Sequence, residues 1–144
     1  MLNDDSLKNT FDARDGQITT DGERLCQAIL AQWMDALNQH DASAMEAVMR
    51  FPHVRMAANS VSVYEAPGNN PMDMFQKLAD LQGWHHSAWT DIKLVQSSPI
   101  KAHYAVQYTR YRQDNSVIGI FDSLYIFTSI DGEWKLQLRS SFGP

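Results

Sequence analysis

The chain has 144 residues, 44% apolar and 20% charged, with seven glycines and five prolines. That is enough for one domain burying roughly two-thirds of its unfolded surface, and it excludes collagen-like, low-complexity and mostly disordered chains. Twelve basic against 17 acidic side chains leave a net charge of −5, which argues against nucleic acid as a partner, since no basic cluster larger than Arg110 and Arg112 is present.

No uncharged apolar run approaches the roughly 18 residues of a membrane span, and no basic stretch leads into an apolar core near Met1, so neither membrane insertion nor export is expected. The single Cys26 permits no internal disulfide and no thiolate zinc site. Among Leu25, Ala28, Ile29 and Leu30 it reads as a buried structural thiol in a reducing, cytoplasmic setting.

Residues 1–18 carry Asp, Asn, Arg and Gly with only isolated apolar positions and read as a flexible tail ahead of one domain over 19–144. Thr20-Asp21-Gly22-Glu23 is a capping-box pattern. Leu25, Ile29, Trp33, Ala36 and Leu37 then recur at helical spacing, predicting a largely buried helix to about Asn38. Ser43-Ala44-Met45-Glu46 announces a second, short helix that Pro52 ends, after the tight joint Asn38-Gln39-His40-Asp41. Two alternating segments, 53–57 and 61–65, flank Ala58-Asn59-Ser60 as a hairpin.

Asn70 as cap, Pro71 as first helical residue and Asp73 in the first turn start a third helix, with Phe75, Leu78 and Ala79 inward and Gly83 as its stop. Beyond Trp89 the chain predicts sheet: a shorter strand over 91–97, then three long antiparallel ones over 101–112, 117–130 and 133–142. The last two are joined by the strong hairpin signal Asp131-Gly132.

This order is α+β. With the Asn38-Gln39-His40-Asp41 joint, the Phe51-Pro52 passage into a strand and the closing Asp131-Gly132-Glu133-Trp134-Lys135-Leu136 turn, it resembles the nuclear transport factor 2-like superfamily. That group includes ketosteroid isomerase, scytalone dehydratase and SnoaL-like polyketide cyclases. The resemblance covers residues 20–142. It implies a cystatin-like cone, a curved antiparallel sheet wrapped around the N-terminal helices, an apolar pocket at the open end and frequent dimerisation.

Strand registers predict where such a pocket lies. If Ile130 pairs with Glu133, then Ser129, Phe127, Tyr125 and Ser123 face Trp134, Leu136, Leu138 and Ser140. If Arg112 pairs with Val117, then Tyr104, Val106, Tyr108 and Arg110 join that concave face, and Arg110, Tyr108, Ser123 and Ser140 are polar groups at its rim. The reverse face sets Ile118, Ile120, Leu124 and Ile126 among His103, Gln107, Tyr111, Gln137 and Arg139. That mixture suits a homodimer interface, and a one-residue slip would invert the assignment.

Three residues, His53, Tyr64 and Arg110, are candidates for chemistry, with Arg55 beside the first two. His53, at the start of its strand, has the pKa range for proton transfer, or is a histidine bonded to backbone at a sheet edge. Tyr64 falls beside it across the hairpin, and Arg55 shares its face; together they can polarise a carbonyl or hold an anion, or form a solvated hairpin face. Arg110 on an aromatic concave surface needs an anionic or π partner: a ligand carboxylate, or Asp73, Asp80 or Asp91. Trp84, Tyr108, Ser123, Tyr125 and Ser140 are expected to line the ligand site.

His85-His86 points to opposite sides of an extended chain and lacks a third ligand, so no metal is expected. No phosphate loop or nucleophile motif occurs, and no cofactor is expected. The isomerases of the resembled superfamily depend on an Asp general base, and here Asp122 falls on the wrong face unless the register slips. The expected function is a SnoaL-like domain for a small apolar or weakly acidic, carbonyl-bearing molecule. It acts as a cofactor-independent isomerase, dehydratase or cyclase, or is a non-catalytic dimeric domain binding a ligand or a protein.

Overall fold

The computed structural model describes residues 16–68 and 74–144. Helix α1 (Thr20–Asn38) packs one face into the core through Cys26, Ile29, Leu30, Trp33 and Ala36. Its cap is Thr19, whose hydroxyl accepts from the Gly22 amide at 3.0 Å. The cap therefore lies one residue before the Thr20 box read from the sequence, because the next-but-two amide available to a side chain is set by where the backbone turns helical. Ile18, assigned by sequence to the tail, is buried and donates its amide to Ser97 Oγ at 3.1 Å.

After α1 the chain reverses through His40 in the left-handed region (φ 56°). The reversal is so abrupt that Asp41, rather than Ser43, caps helix α2 (Ala42–Ala47), accepting from the Ala44 amide at 3.0 Å. Pro52 does not end this helix. It lies inside strand β1 (Met49–Met56), with a cis Phe51–Pro52 bond. Its missing N–H is tolerated because the regular pairing of β1 with β6 is interrupted between Met49 and Val54, and β2 pairs only from His53 onward.

Strand β2 (Val61–Tyr64) closes the expected hairpin with His53 opposite Tyr64. Helix α3 (Met74–Gln82) stops at Gly83, whose φ of +69° needs no Cβ; the expected start at Asn70, Pro71 and Asp73 lies outside the described residues. Strands β3 (His86–Ser98), β4 (Lys101–Tyr111), β5 (Val117–Ile130) and β6 (Glu133–Ser141) follow. β3 has 13 residues and contains Trp89; it is not the shorter strand expected, since its first residues lack apolar alternation.

One sheet of order β2-β1-β6-β5-β4-β3 results, and it is mixed, because β1 runs parallel to β6. Its inner face carries Ala102, Tyr104, Val106, Tyr125, Phe127 and Leu136 against Leu30, Trp33 and Met45 of the helices. The β4–β5 register is the expected one from Lys101 to Arg110. It slips at the tip, so that Tyr111, not Arg112, meets Val117, and Ile118 turns to pack against the core.

The β5–β6 register holds from Ile130–Glu133 to Phe127–Leu136 and then shifts at a bulge. Leu138 pairs with Ile126, and Arg139 with Tyr125. This overturns two expectations: Arg139 and Ser141 enter the concave side, while Leu138 and Ser140 leave it. Among the described residues no helix is long and apolar enough to cross a membrane.

Candidate functional site

The open end of the sheet holds a cavity of about 60 Å³. Its wall is aromatic and aliphatic, with Trp33, Met34 and Leu37 from α1, Met45 from α2, Leu78 from α3 and Trp84, Trp89, Tyr108 and Tyr125 around the sheet. Rigid joints place these groups. Asn38, at the end of α1, clasps Ser87 of β3 with its side-chain amide in both directions at 2.8 Å. The Trp84 indole donates to Ser87 Oγ at 2.9 Å and the Trp89 indole to the Leu30 carbonyl at 2.8 Å. Trp33 and Trp89 each meet Tyr125 edge-on, with ring centres 6.5 and 5.3 Å apart.

Into this apolar wall project Arg55, Arg110 and Arg139, and no carboxylate stands among the described lining residues. Arg139 is almost fully buried, lies over the Trp33 ring at 4.5 Å and donates from Nε to His53 Nε2 at 3.0 Å. Arg110 is equally buried, 4.8 Å from the Phe121 ring and 5.7 Å from that of Tyr108. Its terminal nitrogens donate to Gln82 Oε1 at 3.3 Å and to the main-chain oxygen of Pro144 at 3.2 Å. Of the expected aspartate partners, Asp80 accepts from Gln76 and Asp91 lies opposite Gln107 of β4, while Asp73 lies outside the described residues.

Burial pushes both buried guanidinium pKa values down, and Arg55 adds repulsion to each. The cavity is therefore a concentration of positive charge in an aromatic shell. Burial also raises the Tyr125 phenol to about 12, so it stays a neutral hydroxyl.

His53 is not in the cavity. It is fully enclosed behind Arg139, with Nδ1 bonded to the Leu136 carbonyl at 3.0 Å. Burial first, then Arg139, lowers its pKa to about 3. The imidazole lines neither this cavity nor the vestibule, so its placement lends the expected acid/base role no support. Tyr64 stacks on His53 with ring centres 6.2 Å apart. It lines instead an outer vestibule of about 370 Å³ with Ser62, Gln82 and Pro144. Arg55, Leu78 and Arg110 line both spaces.

Of the expected ligand-site residues, Arg55, Trp84, Tyr108 and Tyr125 stand in the cavity wall. Ser123 is buried outside that wall, its hydroxyl without a hydrogen-bond partner, and Ser140 is carried to the outer face by the β6 bulge. Ser141 takes the place of Ser140, with its Oγ 2.9 Å from the Tyr108 hydroxyl. Arg139 is the cavity residue that the sequence pattern does not reveal. Its strand alternates cleanly through Leu136 and Leu138, and no residue type marks the bulge. Among the described residues no group of His, Cys, Asp or Glu is placed to hold a metal ion.

No protein-family model and no curated protein matches the sequence. Solved structures do. A protein of unknown function with a cystatin-like fold from Nostoc punctiforme superposes with a TM-score of 0.72 at 14% identity, over 88% of this chain and 94% of that one. An NTF2-like protein from Novosphingobium aromaticivorans gives 0.69 at 9% identity, over 99% and 90%. A proposed aromatic ring hydroxylase from the same organism gives 0.67 at 12%, over 88% and 92%. From the element order, the sheet and these superpositions together, the chain has the cystatin-like α+β fold of the nuclear transport factor 2-like proteins.

Proposed function

We propose that this domain binds a small molecule with an apolar or aromatic body and an oxygen head, which Arg139 holds at the back of the cavity. The observation that carries this is the set of guanidinium groups inside an aromatic wall whose described residues include no acidic side chain. A buried cation without an acid is costly unless a ligand oxygen or π system compensates it. An aromatic body also agrees with what is proposed for one structural neighbour, an aromatic ring hydroxylase.

The cavity alone is far below the roughly 300 Å³ of a drug-sized site. A ligand of that size would place one end among Trp33, Trp89 and Tyr125 and the remainder in the vestibule. Binding is favoured over isomerase chemistry because the described wall offers no group that is a base near pH 7: its titratable side chains are tyrosines and arginines. Homodimerisation through the outer face of the sheet is part of the same proposal.

The test is calorimetric titration of benzoate and of neutral benzamide into the wild type and Arg139→Met. Benzoate is expected to bind the wild type at least tenfold more tightly than it binds Arg139→Met, with benzamide little affected. Equal benzoate affinity in the two proteins would overturn the assignment.

A further inference from the structure

Arg139 and His53 meet because two irregularities of the sheet coincide. The pairing of β1 with β6 is interrupted between Met49 and Val54, around His53, and the bulge in the β5–β6 pairing turns Arg139 inward. His53 Nε2 then accepts from Arg139 Nε at 3.0 Å, while Nδ1 bonds the Leu136 carbonyl at 3.0 Å. We propose that His53 is the positioning and specificity-determining residue of the Arg139 site: it orients the guanidinium without neutralising it, so that the cavity selects an anionic head over a neutral one. The proposal rests on the ligand-binding reading of the cavity, and it gives the choice of head group to a residue outside the cavity wall.

The first support is charge. The ordinary partner of a buried guanidinium is a carboxylate, which binds it bidentately and cancels its charge. Among the described residues Arg139 has no such partner. The groups that act on its charge are Tyr125, Arg55 and Tyr64, and none is an acid. Its Nε is taken instead by an imidazole, a neutral acceptor that uses one N–H donor and leaves the positive charge whole. The guanidinium as a whole still lines the cavity. An anion entering there supplies the charge pairing that this buried cation lacks, whereas a neutral carbonyl oxygen supplies only a hydrogen bond.

The second support is rigidity. His53 is fully enclosed, bonded through both ring nitrogens and stacked on Tyr64 with ring centres 6.2 Å apart. Arg139 is held by that ring and by the Trp33 face, whose centre lies 4.5 Å from its Cζ. A guanidinium bonded at Nε and stacked on an indole has given up its rotamer freedom before a ligand arrives, so binding costs it little further ordering.

The isosteric pair His53→Gln and His53→Glu separates charge from shape, because both place an acceptor oxygen toward Arg139 and both lose the bond to Leu136. In calorimetric titration His53→Gln is expected to keep the benzoate affinity of the wild type, and His53→Glu to bind benzoate about tenfold more weakly. Benzamide should not distinguish them. Equal benzoate affinities in the Gln and Glu variants would overturn the proposal, since a merely structural His53 is indifferent to this charge. His53→Leu offers no acceptor and should bind benzoate several-fold more weakly than His53→Gln. Equality there would overturn the positioning role, and this comparison decides the matter if the Glu variant fails to fold. Tryptophan quenching needs no organic ligand, and Trp33, Trp84 and Trp89 line the cavity. Iodide should quench His53→Glu less than His53→Gln, with neutral acrylamide treating them alike. If benzoate binds none of the proteins yet this iodide difference appears, the charge role of His53 stands and the aromatic-ligand reading of the cavity falls. If benzoate binds none and iodide shows no difference, or acrylamide shows the same one, both fall.

Discussion

The bond from Arg139 Nε needs a lone pair on His53 Nε2, so the proton must sit on Nδ1, where it is donated to the Leu136 carbonyl. Protonating Nε2 would break the first bond and set two buried cations 3.0 Å apart. The folded imidazole titrates near 3 against 6.5 for the free group. Between those values the unfolded chain binds the extra proton and the folded one refuses it. The stabilisation is therefore complete above about pH 6.5 and is lost as pH falls toward 3, by about 3 kcal/mol at pH 4.5. Urea unfolding at pH 7 and pH 4.5 checks this by difference. The wild type is expected to lose about 2–3 kcal/mol more than His53→Gln over that interval, and equal losses would show that His53 contributes nothing to the acid sensitivity.

At the level of elements, the placement of α1 rests on a cap that sequence puts one residue too late. Thr19→Ala is expected to lower stability by about 1 kcal/mol in chemical denaturation, whereas Thr20→Ala should stay within about 0.5 kcal/mol; the reverse ranking would restore the Thr20 box. The same contrast shows how far the sequence was legible. Leu25 to Leu37 at helical spacing, the 53–65 hairpin, the Asp131-Gly132 turn and the tyrosines of β4 all follow from local pattern, and they suffice for the fold. What escaped was non-local. The parallel pairing of β1 with β6 leaves no trace in alternation. The β6 bulge depends on matching two strands of different curvature, and it alone decides that Arg139 enters the cavity and Ser140 leaves it. Arg110, Tyr108 and Tyr125 were legible because their strands keep register where they pair. His53 was legible by its type but its enclosure was not, since Arg139, a residue 86 positions away, stands over it.

For the whole molecule, the proposed homodimer turns on the outer face of the sheet. Ile118 has left it for the core and Arg139 has turned inside, but Leu124, Ile126 and Leu138 remain half-buried there and Ile120 is 58% exposed. The polar groups around them are already satisfied within the chain: Gln107 donates to Asp122 at 3.2 Å and accepts from Thr90 at 2.9 Å, and His103 is bonded to Gln96 at 3.0 Å. Covering this face would remove apolar area from water without stranding a donor or acceptor, the condition under which an interface gains most from burial. A second exposed apolar site, Val61 and Val63 on edge strand β2, is short and separated from it by β1. If the outer face is the interface, sedimentation velocity at micromolar concentration gives a dimer for the wild type and for Val63→Glu, and a monomer for Ile120→Glu, because one carboxylate buried against its symmetry mate costs several kcal/mol. A monomeric wild type would remove the dimer from the proposal, and a dimer that survives Ile120→Glu but not Val63→Glu would move the interface to the sheet edge.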